Sequence, residues 1–191
     1  KKKLFFFLIF FIFPNLSYSN NLDYYFLNPV GSSPSNFGIT GVMELPNARF
    51  MKEATVLWNF SSSFPNEYTS ITATPFKWLE ASYRYTEIKN LKYGPSSYSG
   101  NQSLKDKGFD IKIRLKKESY YFPAIAIGLS DIAGTGLSSS EYFVATKNFN
   151  NIDFTLGLGW GVLGSQGGVS SPLSFLDDGF ELRNAESGQG G

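Results

Sequence analysis

The chain has 191 residues, 17 of them basic and 16 acidic, with no histidine and no cysteine. Those absences exclude disulfides, a lipid-modified N-terminal cysteine, Ser–His or Cys–His nucleophilic sites, and zinc sites of the usual His/Cys kind. Setting aside Lys1, Lys2 and Lys3 leaves 14 basic against 16 acidic residues, a balance that gives no reason to expect nucleic acid as a partner.

The chain opens Lys1-Lys2-Lys3 and runs into ten apolar residues, Leu4 to Phe13, before Pro14 breaks the run and Ser17-Tyr18-Ser19 supplies small residues at the positions a signal peptidase reads. A membrane-spanning helix needs about 20 apolar residues, so residues 1–19 read as a signal peptide, with cleavage between Ser19 and Asn20. Residues 20–53 form a leading segment, expected on the periplasmic side and without periodicity. The C-terminal stretch 165–191 is a flexible, Gly/Ser-rich continuation without a terminal strand, and reads as the cut end of something longer.

Between these segments, over 54–164, the period is two rather than 3.6. Ala54, Val56, Trp58 and Phe60 share one face of a strand, opposite Thr55, Leu57, Asn59 and Ser61. A weaker strand covers Tyr68 to Thr74. Leu79, Ala81, Tyr83 and Tyr85 alternate with Glu80, Ser82, Arg84 and Thr86. The cleanest strand follows: Phe109, Ile111, Ile113 and Leu115 against Asp110, Lys112, Arg114 and Lys116. Ile125, Ile127 and Leu129 alternate with Ala126, Gly128 and Ser130, a weaker strand covers Tyr142 to Lys147, and Phe154, Leu156, Leu158 and Trp160 alternate with Thr155, Gly157, Gly159 and Gly161. Phe64-Pro65-Asn66, Thr74-Pro75-Phe76 and Asn148-Phe149-Asn150-Asn151 have turn chemistry. Lys89 to Lys107 reads as a long polar loop. The fold class is therefore all-β and antiparallel, with about seven strands.

Alternation alone also fits a soluble sandwich, which has one wet and one dry face. Three features favour an outer-membrane barrel of a Gram-negative cell. The leader implies export. Aromatic residues gather near strand ends (Trp58, Phe60, Trp78, Tyr83, Tyr85, Tyr120, Tyr121, Tyr142, Trp160), as in aromatic girdles. Charge and glycine also sit in mid-strand, where a wet lumen tolerates them. Seven strands cannot close a barrel whose single-chain versions start at about eight, so closure requires chain beyond this segment.

Several separated blocks, in order, resemble the YjbH-like family of exopolysaccharide-associated outer-membrane β-barrel proteins. They are Pro34 to Phe50 (PSNFGITGVMELPNARF), Pro75 to Thr86 (PFKWLEASYRYT), Asp106 to Asp110, Leu115 to Ser119, Gly128 to Tyr142 (GLSDIAGTGLSSSEY) and Leu156 to Gly161. The resemblance covers about residues 34 to 164. It implies an outer-membrane protein of exopolysaccharide secretion or assembly, with more barrel downstream. Members can be lipoproteins, whereas this chain lacks the acceptor cysteine. The resemblance carries no catalytic residues.

Two motifs have simpler readings than their chemistry suggests. Gly159-Trp160-Gly161-Val162-Leu163-Gly164 spells G-x-G-x-x-G, but Ser165-Gln166-Gly167-Gly168 follows where a dinucleotide loop needs a helix. Asp131 to Gly136 reads as a tight connection with positive φ at its glycines. A glycosidase-like pairing of Asp131 with Glu141 has nothing to place it.

The expected function is thus a non-catalytic outer-membrane barrel in exopolysaccharide biosynthesis, export or assembly, without cofactor or metal. Its partners would be outer-membrane lipid, extracellular polysaccharide and other envelope export proteins. Alternatives are a general diffusion porin and a secreted, soluble carbohydrate-binding β-sandwich. Glu80, Arg84, Asp110, Lys112, Arg114 and Lys116 are the candidate lumen-facing polar residues, either tuning transport or merely solvated. With Phe109, Ile111 and Ile113 facing lipid, Lys112→Ala is expected to leave folding intact.

Overall fold

A computed structural model describes residues 32–150, 152–164, 170–176 and 180. The expected signal peptide, residues 1–19, and most of the C-terminal stretch lie outside them. Two short strands come first, β1 (Gly41–Val42) and β2 (Leu45–Pro46), joined through Met43 in the left-handed region (φ 54°). Seven longer strands follow: β3 (Thr55–Ser63), β4 (Asn66–Phe76), β5 (Leu79–Lys92), β6 (Ser103–Lys116), β7 (Ala124–Ser130), β8 (Ser140–Phe149) and β9 (Ile152–Gly161). They form one antiparallel sheet in chain order, while β1 pairs only with β2. A single helical turn, α1 (Ser96–Ser99), sits between β5 and β6.

The connections between the seven strands range from two residues to ten. At one end, the β4–β5 link is only Lys77-Trp78, and Asn150, with φ 49°, turns the chain between β8 and β9. Aromatic rings crowd this end: Phe76 stacks on Trp78 at 5.5 Å, Tyr120 meets Tyr121 at 4.7 Å, and Phe149 meets Phe154 at 5.8 Å. Residues 93–102 and 131–139 form longer links at the opposite end, which the two-residue Phe64-Pro65 link shares. The expected loop from Lys89 to Lys107 is shorter than it reads, because β5 runs on to Lys92 and β6 begins at Ser103. Pro75, expected in a turn, lies inside β4, where the register with β5 slips between Ala73 and Phe76 and spares the ladder a missing donor.

The sheet is inverted relative to a water-soluble one. Its covered face is polar: Ser70, Thr72 and Thr74 of β4, Glu80, Ser82, Arg84 and Thr86 of β5, Asp106, Asp110 and Lys112 of β6, and Thr146 and Asn148 of β8 are all buried. Its bare face is apolar, with Trp58 at 66 % exposure, Ile71 at 52 %, Phe109 at 48 % and Leu156 at 81 %. Contiguous exposed apolar surface on this scale marks an interaction surface.

What covers the polar face is the leading segment. Residues 32–50 cross it as a strap packed directly on the sheet. Gly38 shows how close the approach is: at φ 98° it lies so near β4 and β5 that an added Cβ would be 2.2 Å from Ser70 Oγ and 3.0 Å from Ser82 Oγ. A small apolar core forms where the strap meets β7 and β8, from Ala48, Phe50, Ala124, Ala126, Tyr142 and Val144. Tyr142, expected near an aromatic girdle, instead points into this core. Gly128 makes room for it, because a Cβ there would be 2.1 Å from Tyr142 Cζ.

Candidate functional site

The site is the interface between strap and sheet, where buried charges must find partners. At its centre Glu80 accepts from the backbone N–H of Thr40, and its two oxygens accept from the Thr40 hydroxyl at 2.9 and 2.7 Å. Lys112 stands opposite Glu80 in the β5–β6 register, with Nζ 3.8 Å from its carboxylate. The same ammonium donates to the carbonyls of Thr40 (2.8 Å) and Arg49 (2.7 Å). Both Glu80 and Lys112 are 0 % exposed. Phe50 of the strap lies under Lys112 Nζ (4.6 Å) and the Arg114 guanidinium (4.3 Å), a cation–π arrangement.

The strap's end is clamped at the far side of the sheet. Arg49 donates from Nε and Nη2 to the two carboxylate oxygens of Asp153 on β9, each at 2.7 Å, and from Nη1 to Glu118 at 2.5 Å. Burial works against the Arg49 charge, but the hydrogen-bonded carboxylates of Asp153 and Glu118 outweigh it and hold the guanidinium above its ordinary pKa. Beside it the Ala48 N–H donates to Thr146 Oγ1 at 2.8 Å. At the opposite edge Ser61 of β3 donates to Asn36 at 2.9 Å.

A second cluster lies toward the long connections. Arg84 stands over the ring of Phe37 (4.8 Å), and its Nη1 is 3.6 Å from Asp110. Asp110 accepts from the backbone N–H of Asp131 at 2.9 Å, and Asp131 accepts from that of Ser138 at 3.1 Å. In the connection 131–139 positive φ falls on Asp131 (56°) and Gly136 (75°), not on Gly134. Asp131 therefore acts as the capping group of this loop. Burial first, then nearby Asp106, lifts its carboxyl above the ordinary value, against hydrogen bonds from Ser138 and Gly136 and the charge of Arg84.

Of the six candidate polar residues, Glu80 and Lys112 thus meet at the strap's centre, Arg114 flanks them half-buried, and Arg84 and Asp110 form the second cluster. Lys116 belongs to neither; it is exposed, over the ring of Phe122 at 3.9 Å. Lys112, expected to be dispensable for folding, is instead buried with two carbonyl partners. Its face is strap-covered rather than water-lined. Thr40, Arg49, Phe37, Glu118 and Asp153 are site residues that periodicity could not reveal, since the contacts described above span 40 to 104 positions or lie in aperiodic chain. Gly159 and Gly161 sit in β9 opposite Tyr142 and Ser140. Among the described residues no group of three or more acidic side chains is arranged to hold a metal ion.

These features define a class: an all-β protein whose antiparallel meander keeps its charged face under an N-terminal strap and leaves its apolar face bare. Residues 33–191 match the model of the family described as "Exopolysaccharide biosynthesis protein YbjH", and the chain belongs to that family. It is similar to the "Uncharacterized lipoprotein YjbH" of Escherichia coli (strain K12), 42 % identical over 164 residues, with 85 % of this chain aligned. The aligned part is 24 % of that relative, so the chain spans about a quarter of its length. No solved structure matches.

Proposed function

We propose that this chain is the first part of an outer-membrane β-barrel that serves export or assembly of an exopolysaccharide without catalysing a reaction. The observation that carries the reading is the inverted sheet. A face of Trp58, Phe60, Phe109, Leu156 and Leu158 suits hydrocarbon, while a face carrying Glu80, Arg84, Asp110 and Lys112 suits an enclosed interior. Strands β5 and β6, each of 14 residues, exceed the roughly 9–11 needed to cross a bilayer, so their polar ends, Glu87–Lys92 and Ser103–Lys107, stand clear of it on the side of the long loops. The aromatic rim at the other end lies where an interfacial girdle belongs.

Among the described residues β3 and β9 each pair on one side only. Open edges do not persist in hydrocarbon, so strands from the remainder of the family's length complete the wall. The strap argues against a general diffusion porin, because it occupies the face that would line an open channel. The exopolysaccharide role follows the family's description, with envelope export proteins as partners.

The test uses the full-length gene product. Single cysteines at Trp58 or Leu158, carrying a fluorophore, are expected to be quenched by lipid-phase quenchers, and one at Thr72 is not. The protein should fractionate with the outer membrane, migrate faster in unheated than in heated detergent gels, and, when its gene is deleted, take exopolysaccharide output down with it. A water-soluble product, or unchanged output, would defeat the corresponding half of the reading.

A further inference from the structure

Between the strap, the sheet and the 131–139 connection lies a cavity of about 270 Å³. Its walls are largely apolar and aromatic, with Phe37 of the strap, Tyr68 of β4, Leu104 of β6, Leu137 of the long connection and Tyr142 of β8 among them. Into this apolar lining the sheet sets four buried polar side chains, Arg84, Thr86, Asp110 and Ser140. Arg84 is only 2 % exposed, yet among the described residues its Nε and Nη2 have no hydrogen-bond partner. Asp110 Oδ2 and Thr86 Oγ1 likewise have no hydrogen-bond partner among the described residues. Buried polar atoms are nearly always satisfied, and a cluster of exceptions on one cavity needs a reason.

The orphaned set is mixed: two donors from a cation, one acceptor from a carboxylate, and a hydroxyl able to do either. A hydrocarbon ligand would leave all of them unpaired. An anion would meet Arg84, but also the carboxylates of Asp110 and of Glu44 at the same cavity, with Asp106 and Asp131 close behind. The complementary ligand is neutral, carries several hydroxyls on a compact frame, and has an apolar face to lay on Phe37 or Tyr68. That is a sugar ring. The volume lies just below the roughly 300 Å³ at which small-molecule pockets begin, which suits one ring rather than a chain.

We infer that this cavity binds the ring of a neutral sugar as a unit of a polysaccharide, with Arg84, Asp110 and Thr86 bonding its hydroxyls. The inference deepens the export reading, and rests on it only in taking the polymer as the ring's source. Its position supports that source, because Leu137 and Leu104 place the cavity toward the end of the sheet with the long connections.

The test titrates the full-length protein in detergent with methyl glycosides of glucose, galactose and mannose, followed by saturation-transfer NMR. Glucuronate and octanoate serve as the anionic and aliphatic probes. At least one neutral glycoside is expected to bind, with a Kd on the order of 1 mM. Thr86→Val should weaken it about fivefold, as loss of one hydrogen bond does. Leu137→Trp, which fills the cavity from the loop, should abolish binding while the protein keeps its folded gel mobility. Arg84→Met should also abolish it; should that variant misfold, the other two decide. Absence of binding to folded wild type, retention of full affinity by Leu137→Trp, or preference for glucuronate or octanoate overturns the inference. Gel mobility and polysaccharide output, read on the same strains, belong to the barrel and export readings, so a folded, export-competent protein that binds no glycoside ends this inference alone.

Discussion

Arg49 grips Asp153 through two parallel contacts of 2.7 Å, joining the strap to the last strand across 104 residues of chain. Such a fork matches a carboxylate in a way an ammonium cannot. Arg49→Ala leaves Glu118 and Asp153 facing each other without their shared cation, and should cost about 2 to 4 kcal/mol. Arg49→Lys should recover less than half of that, because it keeps the charge and loses the fork. Urea unfolding of the detergent-solubilised protein, followed by tryptophan fluorescence, reads both.

Neighbours on β6 should respond oppositely to what their residue types suggest. On the membrane reading, Ile111→Arg or Ile113→Arg puts a charge in hydrocarbon and should cost about 2 to 4 kcal/mol near the midplane. Lys112→Ala is no longer silent: it strands two buried carbonyls and unpairs Glu80, a loss of about 2 to 4 kcal/mol. Refolding into lipid vesicles measures both, and protease cutting within 32–50 should accelerate only for Lys112→Ala. Equal cutting in all variants would refute the strap's dependence on Lys112.

Gly128 and Tyr142 should be coupled. Gly128→Ala forces the Tyr142 ring out of its place and should cost about 1 to 3 kcal/mol. In a Tyr142→Val background the same change should be nearly neutral. A double-mutant cycle on thermal unfolding gives the coupling, and additivity within about 0.5 kcal/mol would contradict the packing described.

The 131–139 connection should be tighter in acid. Because burial raises the Asp131 pKa in the folded chain, the folded form holds its proton more strongly than the unfolded form does. The stabilisation is complete below the ordinary carboxylate value of about 3.9 and fades as pH rises through the raised folded value. Asp131→Asn, which keeps a residue tolerant of positive φ, should flatten the dependence. Limited proteolysis of the loop with an acid-tolerant and a neutral protease, each against the variant, is the check.

Five of the seven strands were plainly legible because one face of each is largely apolar; β4 and β8, with Thr69 and Lys147 among the outward residues, gave a weaker alternation. The inward set Glu80, Arg84, Asp110 and Lys112 followed from the same alternation. The ends of β5 and β6 were not legible: Lys89, Asn90 and Lys92 against Lys105, Asp106 and Lys107 put polar groups on both faces, so period two vanishes where the strands leave the apolar belt. The strap was hidden for a different reason. Residues 34–50 satisfy themselves through backbone groups and single side chains aimed at distant strands, and no local period records that. Only the resemblance of that block to a known family marked it, without saying where it goes. Tyr142 was misplaced because an aromatic at a strand end looks the same whether it anchors at an interface or fills a gap beside Gly128.

The strap's partners impose an order on how the molecule comes together. Its contacts with β3 can form once some 25 further residues exist, but Ala48 waits 98 positions for Thr146 and Arg49 waits 104 for Asp153. Closing such distant contacts is slow. The stretch that precedes the sheet in sequence is therefore the last to be fastened, and until β9 is in place it hangs from one edge of an unfinished sheet like an untied lace.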